Sequence, residues 1–205
     1  FGNYSGNLVD FFRNRLMFPI HNSTGEVVAF GGRILEENEN VGKYVNTPGT
    51  ELYTKGKELY GFFKTKYEIS KIGYALICEG YFDFLRLYEN GFQNAVASLG
   101  TSLTEDQIYL LARYTNKVYM LYDGDAAGIK SAQRAALLCL SKGLDASIIE
   151  LPEKDDPDSF LLENGPEALQ ERIAAAKDVI HFMAEAKSKT PLMERIDQLL
   201  DTVRS

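Results

Sequence analysis

Lys117-Val-Tyr-Met-Leu-Tyr-Asp123-Gly-Asp125 decides the fold: an apolar strand runs out onto two carboxylates one glycine apart. The pattern stands earlier at Tyr74-Ala-Leu-Ile-Cys-Glu79-Gly80, and a third acidic set, Asp155-Asp-Pro157-Asp158, follows the next apolar run. Open α/β sheets bind ligands outside the carboxyl ends of their strands, so acids placed there converge on one edge. Converging acidic oxygens are hard ligands that suit Mg²⁺ or Mn²⁺. The pattern points to a metal site for phosphoryl-transfer chemistry.

Around these segments the sequence alternates. It predicts strand 74–78, helix 81–90, strand 94–97, helix 104–113, strand 117–122, helix 126–142 and strand 146–151, a βαβα order that indicates a parallel sheet with right-handed crossovers. Ser102-Leu-Thr-Glu105 fits a capping box ahead of helix 104–113, and Gly91 and Gly143 stand where left-handed helix caps form most easily. Before residue 72 the pattern changes. Short apolar runs at 16–20, 27–30, 33–35 and 43–45, broken by Asn22-Ser-Thr-Gly25, Gly31-Gly32 and Thr47-Pro-Gly49, read as antiparallel or mixed strands. After Pro157, helices are expected at 158–163, 166–176, 178–188 and 191–203. The division is therefore a β-rich segment over 1–71 with a basic surface, an α/β domain over 72–155 and an all-helical segment over 156–205.

Composition narrows the chemistry. The net charge of −7 is uneven: residues 1–71 hold 9 Lys and Arg against 8 Asp and Glu, and the remainder holds 13 against 21. An acidic metal site and a local basic track for phosphate can thus coexist. Only Cys78 and Cys139 occur, without CxxC spacing, which excludes a disulfide framework and a zinc knuckle and places the chain in a reducing, cytoplasmic setting. His21 and His181 are too few and too isolated for a zinc hydrolase. No apolar run reaches the ~20 residues of a membrane span, so no membrane partner is expected.

Each acidic set also has a plain structural reading. Glu79 would sit favourably at a helix N-terminus. Asp123 and Asp125 could serve as N-cap and turn ahead of helix 126–142, which explains one aspartate more easily than two. Asp156-Pro157-Asp158 could open a helix, with proline at its first position. Among the cations, Lys55 and Lys57 straddle Gly56 in a loop, Arg13 and Arg15 alternate on one strand approach, and Arg33 follows two glycines that permit close backbone approach. Tyr44, Tyr53 and Tyr60 interleave with these cations as candidates for base stacking, with packing the expected fate of at least two.

Glu79 with Asp123-Gly-Asp125 resembles the TOPRIM signature of primases, topoisomerases and several nucleases. The blocks Arg13-Asn-Arg15-Leu-Met-Phe-Pro-Ile20, Phe30-Gly-Gly-Arg33, Lys43-Tyr-Val-Asn-Thr-Pro48, Lys55-Gly-Lys57-Glu-Leu-Tyr-Gly61, Glu79-Gly-Tyr-Phe-Asp83, Ala95-Val-Ala-Ser-Leu-Gly-Thr101 and Asp123-Gly-Asp-Ala-Ala-Gly128 resemble, in order, bacterial DnaG-type DNA primase over roughly residues 8–185. The resemblance implies a TOPRIM-type parallel sheet flanked by helices and template-directed RNA synthesis. It implies that Glu79, Asp83, Asp123, Asp125, Asp156 and Asp158 form a centre for two or more Mg²⁺ or Mn²⁺ ions, with Glu79, Asp123 and Asp125 catalytic. It assigns Arg13, Arg15, Arg33, Lys43, Lys55 and Lys57 to a basic ridge that contacts nucleotide and nucleic acid. Implied partners are a single-stranded DNA template, ribonucleoside triphosphates, the RNA primer and, through a region outside this chain, the replicative helicase; the chain itself is expected to be monomeric. Zinc is expected only in a module that the chain lacks, and the chain reads as a fragment of the whole enzyme. The alternatives are a strand-cleaving TOPRIM enzyme, topoisomerase or nuclease, and a non-catalytic α/β binding module whose acids only cap helices.

Overall fold

A computed structural model describes residues 2–4, 7–36, 41–100 and 102–185. A short antiparallel ribbon, β1 (Gly2–Tyr4) and β2 (Asn7–Val9), precedes a three-stranded antiparallel sheet of β3 (Arg15–His21), β4 (Val27–Ile34) and β5 (Tyr44–Asn46). The β3–β4 turn forms because the Asn22 side-chain oxygen accepts from the N–H groups of Thr24, Gly25 and Glu26, while Gly25 takes a φ of 99°. Gly31-Gly32 does not break β4, contrary to the sequence reading. A Cβ at Gly31 would lie 2.0 Å from the Tyr81 hydroxyl, so this glycine admits a neighbouring ring to a continuous strand.

The second unit is a five-stranded sheet in the order β10-β9-β8-β6-β7. Its four parallel strands are β6 (Ala75–Cys78), β7 (Ala95–Ala97), β8 (Lys117–Met120) and β9 (Asp145–Ile148). They alternate with α2 (Tyr81–Glu89), α3 (Glu105–Ala112) and α4 (Ala126–Ser141), as the periodicity predicts. All four residues of β6 are buried, the mark of a strand covered on both faces. Ile77, Val96, Val118, Met120, Ala146 and Ile148 face a core shared with α3 and α4, whereas Leu76, Cys78, Ala95 and Ala97 pack with Phe84 and Leu87 of α2. That is the period-two division of a pleated sheet between two helical layers.

Three elements differ from expectation. Helix α1 (Phe62–Ile72) occupies a stretch read as part of the β-rich segment; Phe62 and Ile69 enter the core below the parallel sheet. A two-residue strand β10 (Lys177–Asp178) pairs antiparallel with β9, too short to leave a periodic signature. Helix α3 is capped by Thr104 rather than Ser102: Thr104 accepts from the Gln107 N–H, and the Gln107 side chain accepts from the Thr104 N–H. Helix α5 (Pro157–Ala174) bends at Gly165, ahead of Pro166, so the two helices read at 158–163 and 166–176 are its halves. Helix α6 (Val179–Glu185) follows; the helix expected at 191–203 lies outside the described residues. Among the described residues no helix is long and apolar enough to cross a membrane.

The two sheets are joined at the edge that carries the acids. Tyr60 and Ala97 exchange backbone hydrogen bonds of 2.9 and 3.1 Å. Phe18 of β3 stacks on Tyr81 of α2, with ring centroids 4.5 Å apart, and Tyr60 meets both Tyr81 and Phe84 edge-on. This aromatic seam fixes the basic segment beside the carboxyl ends of the parallel strands.

Candidate functional site

Strand order places the acids. From β6 the chain crosses to β7 on one side and then returns to β8 on the other. The gap above β6 and β8 is therefore a topological switch point, where open α/β sheets hold ligands. Glu79 leaves β6 on one side of it, and Asp123 and Asp125 follow β8 on the other.

The glycines of this edge are dictated by space. A Cβ at Gly124 would lie 2.0 Å from the Pro152 carbonyl oxygen, and one at Gly128 would lie 2.2 Å from that of Asp123. The Gly124 N–H also donates to the Asp155 carbonyl at 2.9 Å, which brings the third acidic set to the same edge. Gly80 has an ordinary extended φ of −114°, so its place ahead of α2 needs no left-handed residue. What it needs is room, because its N–H donates to the Asp83 carboxylate at 2.8 Å and a Cβ would stand 3.1 Å from that oxygen.

Eight of the twelve sequence-nominated residues line one cleft of about 530 Å³: the acids Glu79, Asp83, Asp123, Asp156 and Asp158, and the cations Arg33, Lys43 and Lys55. Four do not. Asp125 caps α4, accepting from the Gly128 N–H at 2.7 Å. Arg13 is exposed ahead of β3, and Asn14, with a φ of 50°, breaks the alternation expected to align it with Arg15. Arg15 instead donates to the carbonyls of Gly32, Gly42 and Lys43 at 2.9–3.2 Å, tying β4 to the start of β5. Lys57 is exposed outside the cleft. Asp156 accepts from the Ser159 N–H at 2.7 Å as the N-cap of α5, and Asp158 pairs with Arg86 at 2.6 Å. The capping reading thus accounts for Asp125 and Asp156 but not for Asp123.

Electrostatics set three carboxylates apart. Burial, followed by Asp123 and Asp125, raises Glu79 above the ordinary carboxylate range. Burial, then Asp156 and Asp125, raises Asp123. Asp83 moves furthest, to about 7: burial dominates, the Gly80 N–H partly opposes it, and Asp123, Asp156 and Asp158 add repulsion. Among the described residues no salt bridge reaches any of the three.

Mutually repelling, oxygen-only groups fit a hard divalent cation. Among the described residues, however, no three acidic, His or Cys side chains form a ready-made cage. Five of the six acids implied by the resemblance line the cleft, and Asp83, Asp125, Asp156 and Asp158 each give one contact to a backbone N–H or to Arg86. The arrangement still matches Mg²⁺ chemistry, in which one or two carboxylates and substrate phosphates share an ion that keeps several waters.

Residues not nominated complete the cleft. Leu99 adopts a φ of 67°, unusual for a bulky buried residue, and Leu99 and Gly100 both donate N–H groups to the Glu79 carbonyl. Asn46 links this loop to the seam, donating to the Leu99 carbonyl and accepting from the Tyr81 hydroxyl at 2.8 Å. Leu99, Gly100 and Asn46 lay within the quoted blocks, but their type alone carried no chemical signal. Arg33 lies over the Phe82 ring, 4.6 Å from its centroid. Of the three tyrosines, Tyr53 is buried, Tyr60 packs in the seam and Tyr44 keeps an exposed ring in the cleft.

Comparison with known proteins assigns residues 2–66 to a family described as DNA primase catalytic core, N-terminal domain, and residues 76–161 to one described as Toprim-like. A DNA primase of Listeria monocytogenes is 38% identical over 205 residues, covering 97% of this chain and 33% of that protein. The chain thus spans about a third of the length of the curated relatives it matches. Among solved structures, the Aquifex aeolicus primase zinc-binding and RNA polymerase domains superpose with a TM-score of 0.85 at 37% identity, covering 98% of this chain and 49% of that one. The Escherichia coli primase catalytic core gives 0.82 at 32%, covering 99% and 74%. A DnaG primase catalytic domain bound to single-stranded DNA gives 0.78 at 36%, covering 94% and 63%.

Proposed function

The chain belongs to the bacterial DnaG-type primase family, and from that membership we propose that it is the catalytic part of a primase, joining ribonucleotides into a short RNA primer on single-stranded DNA. The observation that carries the reading is one cleft at the sheet's switch point, lined by acids of the α/β unit and cations of the β-rich segment. Arg33, Lys43 and Lys55 receive the triphosphate of the incoming ribonucleotide, and exposed Tyr44 offers a ring for a base. Glu79, Asp83 and Asp123 would hold Mg²⁺ or Mn²⁺, while Asp125, Asp156 and Asp158 fix the loops around them. A divalent ion bound there supplies charge neutralisation for the leaving group and acidifies the attacking hydroxyl. The rest is positioning, the main protein contribution to phosphoryl transfer.

By the same reading the basic β-rich segment lies along the template, the α/β unit carries the chemistry and the helical segment closes the sheet. The protein works in the cytoplasm, and helicase contact belongs to other parts of the full-length enzyme. The test is Mn²⁺ binding followed by electron paramagnetic resonance, with and without a ribonucleoside triphosphate. Binding should tighten with nucleotide and weaken at least ~10-fold in Asp123→Asn. Unchanged Mn²⁺ affinity in that variant would remove Asp123 from the metal site and leave the acids as loop-fixing groups.

A further inference from the structure

The two side chains that open α3 each hold a second partner, on the turn that carries Lys55. Gln107 is fully buried. Its side-chain oxygen accepts from the Thr104 N–H at 3.1 Å, and its Nε2 donates to the Glu58 carbonyl at 2.8 Å. The Thr104 hydroxyl accepts from the Gln107 N–H and donates to the Gly56 carbonyl. These two carbonyls lie in and just after one turn. The Lys57 N–H closes it on the Thr54 carbonyl at 3.1 Å, which leaves Lys55 at the second position and Gly56 at the third, where a φ of 88° calls for glycine. The Thr104 methyl fills the space beside it, since a Cβ at Gly56 would lie 2.9 Å from that carbon.

Helix capping alone does not demand these residue types. A capping box accepts Glu as readily as Gln at its far end, and Asp or Ser as readily as Thr at its start. The second set of bonds is more selective: Gln107 must accept from an N–H and donate to a carbonyl at once, which a carboxylate cannot do, and an aspartate at 104 would have no proton to give Gly56. The turn held in this way carries Lys55 into the main cleft, where Lys55 is exposed and, among the described residues, takes part in no salt bridge. Just ahead of α3, the Leu99 and Gly100 N–H groups hold the Glu79 carbonyl. Leu99, Gly100, Thr104 and Gln107 thus brace the backbone of a cation and of an acid of the same cleft.

Resting on the primase reading above, we propose that Thr104 and Gln107 are positioning residues for the triphosphate: they clamp the 54–57 turn so that Lys55 meets the phosphates from a fixed backbone. A lysine is a point charge on a flexible four-carbon stem, so it binds phosphate better when the backbone that carries it is held in advance. Neither residue touches the nucleotide; both act through Lys55.

The test is a double-mutant cycle read by calorimetry, with a ribonucleoside triphosphate titrated in Mn²⁺ into the chain, Gln107→Glu, Lys55→Gln and the double variant. Gln107→Glu keeps the cap and loses the donor. It should weaken the triphosphate at least ~5-fold, whereas the same change in the Lys55→Gln background should cost less than about 1.5-fold. Thr104→Asp, which also caps without donating, should give the same pattern and serves if Gln107→Glu does not fold; Thr104→Ser, which keeps the hydroxyl, should bind within about twofold of the parent. Trypsin should cut after Lys55 and Lys57 at least ~5-fold faster in the variants that lose a donor. Losses that are equal with and without Lys55, or cleavage and affinity both at the parent level in Gln107→Glu and Thr104→Asp, would overturn the clamp and leave the cleft assigned. Triphosphate binding in Lys55→Gln as tight as in the parent would overturn this inference together with the part of the primase reading that gives Lys55 the phosphates.

Discussion

Asp83→Asn should stabilise the metal-free protein at alkaline pH and do much less in mild acid. The Asp83 carboxyl titrates near 7 in the fold, against 3.8 as its ordinary value, a rise of about 3 units. At about 1.36 kcal/mol per unit, keeping it ionised costs roughly 4 kcal/mol once the pH is well above 7. The sign follows from proton binding. Between pH 4 and 7 the folded state holds a proton that the unfolded chain has lost, so this group's contribution to stability falls as the pH rises through that window. An asparagine keeps an oxygen to accept from the Gly80 N–H, the 2.8 Å bond that opens α2, and carries no charge at any pH. Urea denaturation in chelator at pH 5 and pH 8 measures the effect. The variant should gain roughly 4 kcal/mol over the parent at pH 8 and about 1.5 at pH 5, and saturating Mg²⁺ should narrow the gap by stabilising the parent alone. An equal gain at both pH values, or a loss at pH 8, would refute the argument from charge burial.

Other perturbations separate support from chemistry. Asp125→Ala deletes the cap on the Gly128 N–H and should cost about 1 kcal/mol, whereas Asp125→Asn, which can still cap, should be close to neutral in thermal melts. Arg15→Ala removes three charge-assisted bonds to carbonyls and should cost about 2 kcal/mol with the salt dependence of DNA binding unchanged. Lys55→Gln should leave stability alone and flatten the slope of log affinity against log salt by about 0.7 on single-stranded DNA; an unaltered slope would exclude Lys55 from the phosphate track. Gly124→Ala drives a methyl into the Pro152 carbonyl and should destabilise by more than about 2 kcal/mol while weakening Mn²⁺ binding, since the Asp123 and Asp155 loops are joined at that residue.

The sheet was legible because its strands are short apolar runs, buried throughout in β6 and β7, and its helices carry ordinary caps, signals that need only neighbours in sequence. The glycines of Asp123-Gly-Asp-Ala-Ala-Gly128 are explained only by the fold, which brings the Pro152 and Asp123 carbonyls against them. Helix α1 escaped although Phe62, Thr65 and Ile69 recur at helical spacing, because the turn-broken apolar runs before it suggested more strand. Gly31-Gly32 was read as a break because only the fold brings Tyr81 over it. The site was legible as a set of residues and not as a division of labour. Asp125 and Asp156 cap helices through partners three residues away, a reading the sequence itself offered, whereas Asp158 holds Arg86 and Arg15 serves the backbone through partners 17 to 72 residues away, which leave no local trace.

The central claim is that the carboxylates at the switch point perform nucleotidyl transfer. Its most direct test is Mn²⁺-dependent incorporation of labelled ribonucleotide on single-stranded DNA, comparing the chain with its Asp123→Asn counterpart. The account predicts that the substitution lowers synthesis at least ~100-fold while circular dichroism and thermal stability are preserved or improved. Incorporation at the parent rate by a folded Asp123→Asn enzyme would contradict it.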